Sequence, residues 1–235
     1  MPRALQVNIG LAEERKKSDV IDAENVARAL LANPKLPELH AVDCQRELQE
    51  LTRTQRRLSE QLKASRAALQ ELIAKSPVRE VLQPVICILV DQLKVLRRQI
   101  RLMVNNLMPG LLDVQGVGPV VAGVLLAESG DPKRFASANH FASYCGAAPV
   151  ERGSGQNCRM QVNPGGNRRL NWALHIVAMV RLRIDGGRSK AFLEKCKSRG
   201  KSRRSALRAL KTYIARELFN VMQHQIGANI ADLPA

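Results

Sequence analysis

Hydrophobic residues recur at heptad spacing along the first half of the chain. Between about Val42 and Lys75 the two seam positions of the heptad are mostly leucine. They are Leu48, Gln55, Leu62 and Leu69 at one position, and Leu51, Leu58, Ser65 and Leu72 at the other. This pattern predicts one long helix that packs a narrow apolar stripe against another helix.

A second helix with the same spacing is predicted after a break between Pro77 and Pro84. Its apolar residues alternate at intervals of three and four: Ile86, Leu89, Leu93, Leu96, Ile100, Met103 and Leu107. Two heptad helices joined by a short proline-bounded loop predict an antiparallel coiled-coil hairpin over residues 42–108. The periodicity fits a hairpin closed within one chain and also a homo-oligomer formed through the coiled coil.

The segments on either side of the hairpin have different patterns. Residues 1–34 combine a short strand-like run, ALQVNIG, with a helical pattern that Asn33-Pro34 ends. Residues 111–227 are predicted to form a compact domain of short helices and glycine-rich loops. Because aromatic residues make up only 3% of the chain while Leu, Ala and Val are plentiful, the fold class is expected to be mainly α.

Composition limits the functional classes. The 235 residues are 45% hydrophobic, which suits one or two globular domains. There is no apolar run of 18 residues and no signal-peptide pattern, so a cytoplasmic protein without a membrane span is expected. The five cysteines form no CxxC pair or zinc-like spacing, which indicates free thiols in a reducing compartment.

Charge is the most informative part of the composition. The chain has 37 Lys and Arg against 21 Asp and Glu, a net charge of +16. Between Val150 and Arg216 there are 17 basic residues and three acids, so this segment alone carries +14. Such a field attracts polyanions, and DNA is the expected one; a merely soluble basic surface is the alternative. The candidate DNA-binding cations are Arg152, Arg159, Arg168, Arg169, Arg203 and Arg204.

The first candidate site is the sequence VQGVGP, in which Gly116, Val117 and Gly118 lie between two apolar segments. It has the form of a helix-hairpin-helix. In that motif, glycines permit a tight turn, and backbone N–H groups at the start of the second helix bind a DNA phosphate. These contacts position DNA without reading its sequence. A purely structural turn is the alternative.

The second candidate is the pair Asp19 and Asp22. Carboxylates three residues apart on a helix share a face, and Asp19 lies within the edge of an apolar arc, where an unpaired charge is costly. The pair therefore suits a cation such as Mg²⁺. An acidic residue near a helix start is also commonly a cap or a partner of the helix dipole.

The third candidate is Ser154, which stands between two glycines after SYCGAAPVER. Arginines flank this turn at positions 152 and 159. A hydroxyl here could attack a phosphorus of DNA while the arginines stabilise the developing charge. A serine between glycines is ordinarily a turn residue, and no His or Lys base is adjacent in sequence.

These features together resemble the IS-one-ten and IS-eleven-eleven insertion-sequence transposases. The C-terminal transposase domain of that family has four motifs in a fixed order, and they correspond here to VQGVGP, SYCGAAP, GSG and GGNRRLNWAL. Further upstream, KSDVIDA (residues 17–23) matches the K-(T/S)-D-x-x-D-A motif that ends the family's RuvC-like domain. In that family a coiled-coil hairpin joins the two domains.

The resemblance implies DNA recombination by a mobile element. Four acids of the RuvC-like domain bind Mg²⁺ in the family, and Asp19 and Asp22 match the last two; Ser154 matches the serine that attacks DNA. The family works as an oligomer and uses a structured guide RNA.

The sequence departs from the family in its acidic residues. Because the first two acids lie upstream of anything in this sequence, we expect an N-terminally truncated member, with a RuvC-like remnant over residues 1–34, that is catalytically incomplete alone. The alternatives are a non-catalytic, oligomerising DNA-binding remnant and a repair-type helix-hairpin-helix protein.

Overall fold

The computed structural model describes residues 28, 43–73, 76–148, 150–152, 159–161, 163, 165–184 and 186–231, and only the backbone of residues 150–152, 159–161 and 226–231. The chain divides into two compact units, Met1–His40 and Ala41–Ala235. Almost all of the first unit, including the predicted strand and helix of residues 1–34, lies outside the described residues. The second unit contains the hairpin and the helical domain.

A hairpin of two long helices opens the second unit. Helix α1 spans Asp43–Glu71 and helix α2 spans Val78–Leu107. The expected break as far as Pro84 is wrong, because α2 begins directly after Pro77 and contains Pro84 in its second turn. A proline there forfeits only one backbone hydrogen bond of the helix. Arg79 closes the turn by donating from Nη1 to the carbonyls of Leu69 and Leu72, at 3.1 and 3.2 Å.

The predicted heptad seam is buried most deeply at the base of the hairpin. Leu48, Leu93 and Ile100 are buried, whereas the seam leucines nearer the turn are half-buried. Leu107 is 37% exposed, and Val104 and Met108 are buried in its place. A straight helix drifts about 20° per heptad against a 3.5-residue repeat. The buried face of α2 therefore rotates along the helix, and at its C-terminal end different residues are buried.

A helical domain follows the hairpin. Its elements are α3 (Gly110–Asp113), α4 (Pro119–Ser129), a 3₁₀ turn (Pro132–Arg134), α5 (Ala138–Tyr144), β1 (Val150–Arg152), β2 (Arg159–Gln161), α6 (Arg168–Ile184), α7 (Arg188–Ser198) and α8 (Arg203–Ala231). The mainly α fold class is confirmed. The short antiparallel ribbon of β1 and β2 was not predicted. The four described cysteines are free, as expected.

Helix α4 is the centre of the core and joins the helical domain to the hairpin. Seven of its eleven residues are buried, and it packs on α1, α2 and α6. The closest approach is at Gly123, where a Cβ would lie 2.7 Å from Cγ2 of Ile100 and 3.2 Å from Cγ2 of Thr52. Glycine at this position therefore lets three helices meet, and the hairpin base becomes part of the same core.

Candidate nucleic-acid interface

The two-glycine turn lies between α3 and α4, as the sequence predicts. Gly116 has φ +88°, a left-handed conformation that disfavours a side chain. Gly118 is extended and directly precedes Pro119, the first residue of α4. A Cβ on Gly118 would meet nothing within 4 Å, so the backbone there is open to an incoming group. The first helix of the motif, α3, is a single turn of four residues.

Arg181 holds this turn against the rest of the domain. Its Nε donates to the carbonyl of Gln115 at 2.8 Å, and its two terminal nitrogens donate to the carboxylate of Glu217 at 2.7 and 3.0 Å. The Arg181 side chain is only 13% exposed. Bidentate pairing of this kind fixes geometry as well as charge. Arg181 does not stand out in the sequence, because its partners lie 66 and 36 residues away.

Two glycines of the matched motifs touch each other. Gly146, with φ +66°, ends the turn after α5, and Gly166 precedes α6. A Cβ on Gly166 would overlap the Cα and N of Gly146 and lie 3.1 Å from the carbonyl carbon of Cys145. The two loops therefore pack backbone to backbone, which only glycine allows. These loops precede and follow the β1–β2 ribbon along the chain.

Three asparagines bind the backbone of the same turn. Asn163 donates from Nδ2 to the carbonyl of Ser143 at 2.9 Å, and the N–H of Asn167 donates to the carbonyl of Tyr144 at 2.7 Å. Asn171 donates from Nδ2 to the carbonyls of Cys145 and Gly146 at 3.0 and 2.9 Å. Buried backbone carbonyls need such donors, so the chain before the ribbon is tied to the chain after it.

Asn167 also begins helix α6. Its Oδ1 accepts from the N–H groups of Arg169 and Leu170, at 2.9 and 3.1 Å, which is the pattern of an N-cap. Its Nδ2 donates to Glu128 at 2.9 Å, and Nη1 of Arg169 donates to the same carboxylate at 2.8 Å. Arg169, a candidate DNA-binding residue, is thus in a largely buried ion pair, and its contact with DNA stays a prediction.

The remaining candidate cations have different positions. Arg168 is exposed at the first turn of α6, and Arg203 and Arg204 are exposed at the first turn of α8. Arg152 and Arg159 are cross-strand partners at the outer end of the ribbon, on either side of the loop that contains Ser154. The ribbon thus brings these two arginines together. Their position on paired strands was not predicted.

The candidate catalytic residues Ser154, Asp19 and Asp22 lie outside the described residues. In the part of the chain that is described, no group of three or more His, Cys, Asp or Glu side chains is placed to hold a metal ion. The Mg²⁺ site therefore stays a prediction. Among the described helices, none has both the length and the apolar composition of a bilayer span.

Comparison with known proteins relates part of this chain to a transposase family. Residues 109–194, which contain the two-glycine turn, the Gly146–Gly166 contact and the ribbon, match the model of the Transposase IS116/IS110/IS902 family. Over this segment, which is less than half of the chain, the protein is similar to the IS116/IS110/IS902 transposases. This is the IS-one-ten family that the sequence motifs indicated. The match begins at the end of the hairpin and ends within α7.

A curated relative supports the assignment. The chain is 33% identical over 136 residues, or 57% of its length, to the "Insertion element IS110 uncharacterized 43.6 kDa protein" of Streptomyces coelicolor. The chain spans about a third of the length of that protein. The match to the family model lies within the helical domain that follows the hairpin.

Proposed function

We propose that this protein is an insertion-sequence transposase that binds DNA through its C-terminal domain and takes part in DNA strand exchange during transposition. The observation that carries the proposal is the family match over residues 109–194. That segment includes the open two-glycine turn and both glycine loops that support the ribbon. The cytoplasm is the compartment in which we expect this activity.

DNA binding is assigned to the start of α4 and to the exposed cations. The space beside Gly118 is open where a Cβ would lie, and the dipole at the start of α4 favours a phosphate there. Arg168, Arg203 and Arg204 are exposed and free to contact further phosphates. These contacts position a duplex but do not read its bases, so little sequence preference is expected from the chain alone.

Strand exchange is assigned to Ser154. Its hydroxyl attacks a backbone phosphorus of DNA, giving a covalent phosphoserine link and releasing one strand end. The Gly146–Gly166 contact and the asparagine network anchor the ribbon that bears this loop. By resemblance, Asp19 and Asp22 contribute to a Mg²⁺ site, and the ion supplies charge stabilisation at the reacting phosphate. A structured guide RNA is the proposed source of target choice.

The experiment is a covalent-adduct assay with Mg²⁺, DNA that carries the element's ends and RNA transcribed from those ends, on the chain alone and on the chain supplemented with an upstream RuvC-like segment that supplies the family's first two acids. We expect no adduct from the chain alone and, with the added segment, a protein–DNA adduct that survives denaturing gel electrophoresis. Ser154→Ala should abolish it while leaving DNA binding intact, and Asp19→Ala and Asp22→Ala should weaken it through loss of Mg²⁺. Ser198→Ala, an exposed serine of α7, is the matched control. An adduct that persists in Ser154→Ala places the nucleophile elsewhere, and DNA binding without any adduct favours the binding-only alternative.

DNA binding has its own quantitative test. With roughly 5–8 phosphate contacts, the slope of log affinity against log salt should be about −4.5 to −7, a loss on the order of 10³-fold or more between 50 and 200 mM salt. Gly118→Ala should reduce the magnitude of that slope by about 0.9, the value for one phosphate contact, because its methyl group fills the open space before α4. A flat salt titration contradicts the proposed DNA interface. Unchanged affinity in Gly118→Ala removes the turn from that interface.

Helix α2 offers a surface for the proposed homo-oligomer. Besides the seam that faces α1, it has a second apolar stripe whose members are 41–67% exposed: Val81, Val85, Ile88, Val95 and Leu102. They are spaced three, four or seven residues apart, and all except Val81 lie one position before a seam residue. A helical partner matches that spacing, and burying the stripe against a second copy removes apolar surface from water.

Two paired variants separate this surface from the hairpin itself. Val95→Glu with Leu102→Glu should give a monomer of unchanged helicity, because both side chains are exposed. Leu93→Asp with Ile100→Asp should unfold the hairpin, because a buried charge without a partner is costly. Sedimentation and circular dichroism distinguish these outcomes. An unchanged oligomer in the glutamate variant assigns the interface to another surface.

A further inference from the structure

A second basic site lies beside the glycine loops, in a pocket that the sequence did not indicate. The pocket has a volume of about 440 Å³ and lies between α6, α8 and the loop before α6. Its described lining residues are Gly146, Asn163, Gly166, Arg168, Asn171, Trp172, His175, Arg208 and Lys211. Gly146 and Gly166 of this lining are the two glycines that touch, and they lie in the loops that precede and follow the ribbon along the chain.

Lys211 is the unusual member of this pocket. It is only 8% exposed, and its Nζ donates to Oδ1 of Asn171 at 2.6 Å. Asn171 is neutral, and it is held by the carbonyls of Cys145 and Gly146. An ammonium group has three donors, and among the described contacts only this one is used. A buried cation with a neutral partner is unfavourable unless an anion joins it.

All charged residues among the described lining of the pocket are cations. Arg168 and Arg208 line it together with Lys211, and none of its described lining residues is acidic. Burial, and secondarily the charge of Arg208, lower the pKa of Lys211. Arg169 and Arg181 elsewhere in the domain are paired with carboxylates. A pocket in which cations converge without carboxylates is complementary to a phosphate group.

Trp172 gives the pocket an aromatic wall. It is the single tryptophan of the chain and is 46% exposed. The other six aromatic rings pack against one another in two clusters, whereas Trp172 is in none of the described ring contacts. The indole also lines a neighbouring cleft of about 490 Å³ between α1 and α6. The charged residues of that cleft are Arg56, Lys63, Arg168, Arg169 and one acid, Glu60, which is paired with Arg56. An exposed indole between two basic cavities suits stacking on a nucleic-acid base.

We propose that this pocket binds one unpaired nucleotide of a DNA strand, with its phosphate against Lys211 and Arg208 and its base stacked on Trp172. The inference rests on the proposed function, because strand exchange requires nucleotides that have left the duplex. A base inside a duplex has both faces covered by its neighbours, so only an unpaired or extruded base can stack on the indole.

The single tryptophan makes the site directly observable. Titration of the full chain with a short single-stranded oligodeoxynucleotide should quench Trp172 fluorescence, because a stacked base contacts the indole. An oligonucleotide of the same length with abasic sites, which keeps the phosphates and lacks the bases, should bind with little quenching. Equal quenching by the two oligonucleotides overturns the stacking. Stronger binding and quenching by the matching RNA overturns the assignment to DNA.

Variants test the two halves of the site by fluorescence anisotropy of a labelled oligonucleotide. Trp172→Ala should weaken single-strand binding by about 5- to 150-fold, and Trp172→Phe should retain most of the affinity. Lys211→Met keeps the apolar stem and should lower the log–log salt slope for single strands by about 0.7, the value for one phosphate. Lys195→Met, an exposed lysine of α7, is the matched control. Circular dichroism and thermal unfolding verify that each variant folds.

The outcomes also separate this inference from the proposed function. If Trp172→Ala and Lys211→Met bind single strands as tightly as the control does, the pocket is not the site. Salt-dependent binding of duplex DNA would then still support the proposed function. If neither duplex nor single-stranded DNA binds with salt-dependent affinity, both proposals are wrong.

Discussion

Replacing Gly166 with alanine tests the backbone contact on which the candidate site depends. The new methyl group would overlap the Cα and N of Gly146. Neither loop can move freely to relieve this, because Asn171 binds the carbonyl of Gly146 at 2.9 Å and the N–H of Asn167 binds the carbonyl of Tyr144 at 2.7 Å. The overlap must therefore be relieved by a backbone shift that weakens these hydrogen bonds.

The expected cost follows from those two terms. Overpacking a fixed site costs about 1–3 kcal/mol, and a weakened hydrogen bond adds about 1 kcal/mol. The free energy of unfolding should fall by about 2–4 kcal/mol in Gly166→Ala. For a domain of this size, 1 kcal/mol corresponds to about 2–4 °C, so the melting temperature should fall by about 5–15 °C.

Gly165→Ala is the matched control. A Cβ on Gly165 would have only Oδ1 of Asn163 nearby, at 3.5 Å, which is an ordinary contact. Alanine also restricts the unfolded chain, so this variant should be neutral or more stable by about 0.4–1 kcal/mol. Thermal unfolding followed by circular dichroism measures both variants. Equal melting temperatures for Gly166→Ala and Gly165→Ala would show that the two loops do not touch. The proposal that this contact anchors the ribbon would then be wrong.

Two further predictions concern buried titratable groups. Burial raises the pKa of the Cys145 thiol to about 12. Iodoacetamide at pH 8 should therefore modify the exposed Cys44 and leave Cys145 intact until the protein unfolds, as measured by mass spectrometry. Rapid labelling of both cysteines would contradict the burial of Cys145. The pKa of Lys211 is lower in the folded protein than its ordinary value of about 10.5. At pH values between the folded-state pKa and about 10.5, Lys211 is protonated in the unfolded chain and deprotonated in the folded protein. The free energy of unfolding, measured by urea denaturation, should therefore gain a contribution that rises with pH in that window. Lys211→Met should remove this contribution, and identical pH dependence in both proteins refutes it.

Local periodicity is the part of the fold that the sequence predicts well. The heptad spacing of α1 and α2 identifies the seam residues because both helices bury a stripe at regular intervals, and Leu93 and Ile100 are buried as expected. The errors occur where the long helix meets other elements. Pro84 lies inside α2 and does not mark a break before it. Leu107 is exposed, although the heptad spacing places it in the seam. Neither position can be judged from the spacing of one helix.

The ribbon was missed for a different reason. Its strands have three residues each, too few for an alternating pattern to stand out. The available signal was the glycine-rich turn between two short runs that begin at Val150 and end at Gln161. The glycine motifs are visible in the sequence, but a motif does not show what it touches. The contact between Gly146 and Gly166 joins positions twenty residues apart and appears only in three dimensions.

The net charge likewise overstates the number of basic side chains that are available to bind DNA. Of the 17 basic residues between Val150 and Arg216, Arg169 and Arg181 are bound to Glu128 and Glu217, two acids that lie outside that segment. Lys211 is also removed from the surface, since it lies on the buried arc of α8 between Leu210 and Ile214. A lysine on an otherwise apolar helical arc is visible in the sequence. Such a residue is retained at a cost in desolvation, so its position indicates an anionic ligand more specifically than the total charge does.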